Sequence, residues 1–557
     1  MGWARKLPIN IKVASPSRMT RPTPPGVWTL NWLTPIRCRL ILALIVTLGF
    51  LAHLLYLTRN CPLDLAGDEA HYWDWSRQLD FSYYSKGPLV AYIIRASCAI
   101  FGNTMLAVRL PAMVLAVGTS ILVYWLAWRL FGSDRLGLGA VLLTHLAPIF
   151  VAGSLLMTID APFFFCWALA TCAAALAIFD NRKWAWAAIG VSAGAGFLAK
   201  YNMLMWVAGL MLFLVMDRQS RQHLRSRGPW LAVCIMLTLS LPVILWNTKH
   251  GWVSLQHVAA QTGMTSAGRN TVQNSLEFLG SQIALLGPPL FVLLAFAVAD
   301  ALRRPTLDLA SRQRRFLLWI GLPLLVVVLL ASLVTKAQGN WPAPAYFTLV
   351  VLAAGFLSIR METVAARKRW RSWSFAAVIF SVVMLSIIHS TESVYPLVSW
   401  VNERFPQARL NIRQFDVSYK LRGWSELGSR ISAELKDLGA GAFILCDHYQ
   451  TTAEMAFYVA GQPKTYYAGS YFREPSVRKR FSQYDMWPDR SLDSTQLQGR
   501  NAIYVGEMNE DIERAFESVQ QATLVRIIRQ GFEVRIFQYW RCLGFKTMQR
   551  PDTGGQY

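Results

Sequence analysis

Apolar residues in this chain come in long unbroken runs rather than in alternation. The runs lie at about 40–58, 106–130, 136–153, 160–179, 184–199, 201–217, 229–246, 277–301, 316–334, 344–359 and 373–392, separated by short polar segments. A helix needs about 20 apolar residues to cross a hydrocarbon core about 30 Å thick. Segments apolar on every face suit a lipid surroundings better than a water-facing surface. The pattern predicts a polytopic α-helical membrane protein of about 11 spans. A membrane β-barrel would show short alternating segments instead.

Beyond residue 392 the pattern changes. "GAFILC" (Gly441–Cys446) and "NAIYVGE" (Asn501–Glu507) predict short buried strands. "TAEMAFYVAG" (Thr452–Gly461) and "EDIERAFESV" (Glu510–Val519) predict amphipathic helices. "VRIIRQGFEVRIFQYW" alternates around Gln530-Gly531, which predicts a hairpin. The expected organisation is a basic segment 1–39, a membrane domain 40–392 with a first large polar loop at 59–105, and a small α/β domain at 393–557.

Charge settles the expected orientation. The net charge is +23, but Lys and Arg cluster in short loops between apolar runs, which argues against nucleic acid and for membrane orientation. Segment 1–39 holds Arg5, Lys6, Lys12, Arg18, Arg21, Arg37 and Arg39 and no acidic residue, so it is expected in the cytoplasm. Alternation from there makes 217–227, 301–315 and 360–371 inner loops, each rich in Arg, and places 393–557 outside. The eight cysteines show neither metal-ligand spacing nor a disulfide framework.

This topology gathers polar residues at the outer ends of spans. Asp68, Glu69 and Lys86 lie in the first outer loop, Arg109 opens the second span and Asp160 the fourth. Lys200 and Tyr201 form a turn between the fifth and sixth, and Asn340 and Trp341 lie between the ninth and tenth. Charges inside a bilayer are costly and tend to face a cavity or a partner, so one outward-facing polar cavity is the simplest common explanation. Plainer readings stand beside it. Arg109 and Lys200 can snorkel to head groups, and Asp160 before Pro162 can cap a helix. Trp73, Trp75, Trp252 and Trp341 read as interfacial belt residues, His250 and His257 as ordinary loop residues, and Asp74 and Asp80 as solvated. The adjacent Asp68 and Glu69 repel each other and call for a counter-charge, a proton or a metal.

The stretches "GDEAHY", "YYSKGPLVAYIIR", "AVRLPAMVLA", "TIDAPFFFCWALA" and "GFLAKYNMLMW" together resemble the GT-C membrane glycosyltransferases over about residues 40–350. The nearest branches are the bacterial lipid A aminoarabinose transferases and the protein O-mannosyltransferases (families 83 and 39). The chain has Ser85-Lys86-Gly87-Pro88 where the aminoarabinose branch usually has Glu-Lys-Pro-Pro, and His71 where an Arg or similar residue is common. The resemblance implies a polyprenyl-phosphate sugar donor and an envelope acceptor (lipid A, another glycan or a protein), with inverting transfer at the outer face of a bacterial inner membrane. It makes Asp68 the expected base. Glu69 then orders that base or holds a divalent metal. Lys86, helped by Arg109 or Lys200, meets the departing phosphate. Tyr72, Asp160, Tyr201, Asn340 and Trp341 complete the expected substrate site. A flippase for lipid-linked sugars and a non-catalytic envelope-glycan sensor are the alternative functions.

Overall fold

The computed structural model describes residues 32–261, 271–303, 308–360, 364–407, 409–412, 416 and 418–551. Most of the basic segment 1–39 therefore lies outside the described residues.

Helices follow almost without interruption: α1 Pro35–Leu55, α2 Gly67–Arg77, α3 Leu89–Phe101, α4 Met105–Phe131, α5 Asp134–His145, α6 Pro148–Leu155, α7 Asp160–Phe179, α8 Ala185–Ala199 and α9 Met203–Met216. After a single turn, α10 at Arg221–Leu224, come α11 Arg227–Lys249, α12 Val253–Gln261, α13 Thr271–Leu286, α14 Pro288–Arg303, α15 Leu309–Ser332, α16 Ala343–Arg360 and α17 Val364–His389. Each of the expected runs is helical. Their count as spans is lower: among the described residues seven helices are long and apolar enough to cross a bilayer, or nine if two bent pairs each count once.

The bends correct two expected continuous spans. Run 136–153 is α5 and α6, bent by 76°, and run 277–301 falls in α13 and α14, bent by 105°. At the second break Gly287 has φ +81° and Pro288 starts the next helix, where a missing N–H and a fixed φ are harmless. Runs 184–199 and 201–217 form helices of 15 and 14 residues, short of a full span. Loop 59–105 is not extended chain, because it contains both α2 and α3.

The C-terminal part begins with α18 (Tyr395–Arg404) and α19 (Trp424–Leu438). Strand β1 (Phe443–Cys446) leads into α20 (Tyr449–Tyr458), then β2 (Thr465–Tyr467) and β3 (Ala502–Val505). Helix α21 (Glu510–Ala515) precedes β4 (Phe516–Val519), β5 (Thr523–Arg529) and β6 (Phe532–Phe545). The sheet order is β2-β1-β3-β6-β4, with β5 also paired to β6. Strands β2, β1 and β3 are parallel and β6 runs antiparallel to β3. The hairpin expected around Gln530-Gly531 is β5–β6. "EDIERAFESV" is helical only to Ala515, because Phe516–Val519 pairs with the end of β6. Ile444 and Cys446 face α19 and α20, while Phe443 and Leu445 pack on the other face, so β1 is buried on both sides.

This domain sits directly on α2. Trp73 and Ala70 of α2 pack with Ala453, Ala456 and Phe457 of α20. Asp74 is fully buried, not solvated, and accepts from Tyr484 Oη at 2.9 Å with Arg490 Nη2 at 3.4 Å. Asp80 is half-buried and accepts from Trp246 Nε1 at 2.7 Å. Trp73 and Trp75 are fully buried in this interface, so they are not belt residues.

Candidate active site

Helix α2 starts at Gly67, after Ala66 in extended conformation. Glu69, three residues past Ala66, reaches back to the Ala66 N–H at 2.9 Å, and both acidic residues favour the positive end of the helix. Successive helical residues point about 100° apart, so the adjacent carboxylates diverge.

Glu69 turns inward and is 0% exposed. Arg109 of α4 grips it with Nε at 3.1 and 3.2 Å and Nη2 at 2.8 Å, and the Met157 N–H adds a bond at 2.8 Å. Arg109 is itself 1% exposed and also donates to the Asp64 and Leu63 carbonyls. The counter-charge that the acidic pair calls for is thus Arg109. Its donors are committed to Glu69, to backbone carbonyls and to the Cys61 and Met105 sulfurs. The Glu69 oxygens are equally committed. Among the described residues no group of three His, Cys, Asp or Glu side chains is placed to hold a metal ion. The donor set does not fit the divalent metal considered for Glu69.

Asp68 faces the other way, toward the C-terminal domain, and is half-buried. Its Oδ1 accepts from Gln450 Nε2 at 2.8 Å and from Tyr449 Oη at 3.4 Å. Its Oδ2 accepts no hydrogen bond among the described residues.

Lys86 sits in a turn held by Tyr83 N–H donating to the Lys86 carbonyl at 3.2 Å. A Cβ at Gly87 would lie 2.1 Å from the Leu198 carbonyl at the end of α8. That close approach explains Gly in place of the usual Pro, and it presses the Lys86 turn against the turn carrying Lys200. The Lys86 ammonium makes no hydrogen bond or ion pair among the described residues. Burial and the nearby Lys200 lower its pKa to about 8, against the pull of Asp68 and Asp160.

Lys200 pairs with Asp160 Oδ1 at 2.7 Å, and Asn340 Nδ2 donates to the other oxygen, Oδ2, at 2.7 Å. Asp160 therefore ties the start of α7 to the turns before α9 and α16. Tyr201 Oη meets Ser82 Oγ at 3.3 Å in the Lys86 loop. Tyr72 is buried beside Asp68, Tyr449 and Asp160, and burial with these groups holds its phenol well above the ordinary range. Trp341 donates to Gln338 Oε1 at 3.2 Å.

The C-terminal domain supplies residues that sequence reasoning missed. Besides Tyr449 and Gln450 there is Arg480, whose guanidinium lies 4.6 Å over the Tyr449 ring. Its charge reaches Lys86 and, together with burial and Lys479, lowers the His448 pKa to about 4. His257, expected to be an ordinary loop residue, is buried against the Tyr84 ring, with no hydrogen-bond partner for Nε2 among the described residues. Lys86 feels the charges of Lys200 and Arg480 on one side and of Asp68 and Asp160 on the other.

Ala161 and Phe164, just past Asp160, line a cavity of about 390 Å³ among α1, α4, α5, α6, α7, α16 and α17. Its walls are mainly apolar but include Ser120, Ser154, His53, His145 and His389. The His53 and His389 rings lie 5.9 Å apart, and Ser120 Oγ is 3.1 Å from His145 Nε2.

Comparison with known proteins agrees with this architecture. The family model described as dolichyl-phosphate-mannose-protein mannosyltransferase matches residues 85–246. A lipid A galacturonosyltransferase of Rhizobium johnstonii is 28% identical over 320 residues, 57% of this chain and 66% of its own length. An undecaprenyl phosphate-α-4-amino-4-deoxy-L-arabinose arabinosyl transferase of Pseudomonas savastanoi is 29% identical over 36% of this chain and 39% of its own length. The match thus spans less than two thirds of either relative. The crystal structure of ArnT from Cupriavidus metallidurans bound to undecaprenyl phosphate superimposes with a TM-score of 0.59 at 15% identity, over 92% of this chain and 98% of that one.

Proposed function

We propose that this chain is a membrane glycosyltransferase of the GT-C type, moving a sugar from a polyprenyl-phosphate donor to a lipid A-type glycolipid at the outer face of the inner membrane. The observation that carries this reading is an open carboxylate oxygen, Asp68 Oδ2, whose charge is felt by Lys86 together with that of Asp160, the residue just before the start of an apolar cavity at Ala161. The cations Lys86, Lys200 and Arg480 suit the negative charge of a polyprenyl-phospho-sugar diester. The apolar cavity suits a lipid chain next to that phosphate.

An acceptor hydroxyl oxygen attacks the anomeric carbon as its proton passes to Asp68 Oδ2. The bond from that carbon to the phosphate oxygen breaks, and the leaving polyprenyl phosphate gains a negative charge beside Lys86, with Arg480 and Lys200 near it. One displacement inverts the anomeric centre. Asp160 holds Lys200 in place, and His257 Nε2 offers a neutral partner for a sugar hydroxyl. One relative acts on lipid A by its name, and this supports the choice of acceptor.

The test is purified protein with lipid A and a panel of undecaprenyl-phosphate sugars, read by mass spectrometry of the glycolipid. The expected result is addition of one sugar residue that depends on the donor. A second reading, carriage of lipid-linked sugar across the bilayer, has one observation in its favour: His53, His145 and His389 around a cavity within the spans. It predicts movement of lipid-linked sugar between leaflets of a vesicle with no glycosylated acceptor.

A further inference from the structure

We infer that Gln450, on the first turn of α20, is a positioning residue for Asp68, so that the C-terminal domain completes the active site. This rests on the reading of Asp68 as the base. Gln450 Nε2 holds Asp68 Oδ1 at 2.8 Å and leaves Oδ2 open. A carboxylate anchored through one oxygen presents the other in a fixed direction, which is what proton transfer from an acceptor hydroxyl requires. The donor is a neutral amide. A Lys or Arg there would form an ion pair and draw the carboxylate away from its proton-accepting task, whereas an amide orients without adding charge.

The contact is built from both sides. A Cβ at Gly67 would lie 2.6 Å from Gln450 Cβ and 2.8 Å from its Cγ, so the residue before Asp68 is the one that leaves room for Gln450. The helix bearing Gln450 is itself immobilised. Tyr458, at its far end, accepts the Leu65 N–H at 2.6 Å, and Phe457 stacks edge-on against Trp73 with ring centroids 4.9 Å apart. The Trp424 N–H donates to Asp64 at 2.8 Å, pinning the neighbouring α19 to the same loop. Tyr449 Oη at 3.4 Å is a weaker second contact to the same oxygen.

The experiment compares steady-state kinetics of Gln450→Met, Gly67→Ala, their double variant and Asp68→Asn in the full-length protein. Gln450→Met keeps length and volume but loses the donor. Its kcat is expected to fall about tenfold, the scale of one hydrogen bond to a charged group, with donor KM unchanged. Gly67→Ala displaces the same side chain and gives the same kcat loss at unchanged KM. The double variant loses no more than the worse single one, because both act on one contact. Wild-type kcat in Gln450→Met, with Asp68→Asn inactive, overturns the positioning role and leaves the base intact. Full activity of Asp68→Asn removes the base itself, and the inference falls with it. A rise in donor KM at unchanged kcat in both single variants overturns the inference by making Gln450 a donor-binding residue.

Discussion

Glu69→Gln separates structural support from chemistry in the acidic pair. The amide keeps the size of the side chain and can still accept a backbone N–H, but it cannot neutralise Arg109. Arg109 is 1% exposed and, among the described residues, has no other carboxylate in contact with it. Removing one partner of a buried pair costs about 3–5 kcal/mol, because the remaining charge is stranded. With an unfolding entropy of about 2.1 cal/mol/K per residue, that loss lowers the melting midpoint of a 557-residue chain by roughly 3–4 °C if it melts as one unit. The double variant Glu69→Gln/Arg109→Met removes the stranded charge and is expected to recover most of the loss. The assay is intrinsic tryptophan fluorescence of detergent-solubilised protein, which the buried Trp73 and Trp75 beside α20 make sensitive to this interface. A Glu69→Gln protein with the wild-type midpoint and no turnover would refute the reasoning and give Glu69 a chemical role.

The remaining predictions concern the open side of the site and its orientation. Asp68→Asn is expected to lower turnover by roughly 10²–10⁴-fold, the range of a lost general base, while donor binding to the purified protein persists. Lys86→Ala is expected to lose about ten- to a hundredfold in kcat through loss of a charge-assisted contact to phosphate; unchanged transfer would remove Lys86 from the phosphate site. With its pKa lowered to about 8, Lys86 is charged below that value and neutral above it. Transfer is therefore expected to decline as pH rises through about 8, and Lys86→Arg to retain its rate across that range. A reporter fused after Tyr557 that works only in the cytoplasm is expected to be silent, and a strong signal would reverse the proposed orientation.

Much of the architecture was legible because membrane helices are declared by length and composition alone. The eleven apolar runs are helical, and the basic loops among them are plain in the chain. The bends were not legible. Pro111, Pro242 and Pro323 sit inside continuous helices, whereas Pro148 and Pro288 start new ones, so proline by itself does not announce a break. At Gly287 the positive φ and the Phe380 ring, which fills the space a Cβ would need, both call for glycine. The tail showed its strands through apolar runs and its hairpin through Gln530-Gly531, but β4 took the end of an apparent helix because β6 offered it a partner.

The candidate site divides in the same way. Asp68, Glu69, Lys86, Asp160 and Lys200 stand out in the sequence as charges beside apolar runs, where an unpaired charge is too costly to be incidental. Which charge meets which is a matter of three dimensions. Glu69 and Arg109 are 40 residues apart, as are Asp160 and Lys200, and only helix packing makes the first pair a buried clamp and the second a rim anchor. Gln450 is 382 residues from Asp68 and carries no charge or motif to mark it. Local pattern determined the helices and the residues able to do chemistry, because lipid exposure and charge desolvation act on each segment by itself. The tertiary structure decided which carboxylate is neutralised and which stays open, because that depends on the directions in which α2, α4 and α20 bring their side chains together.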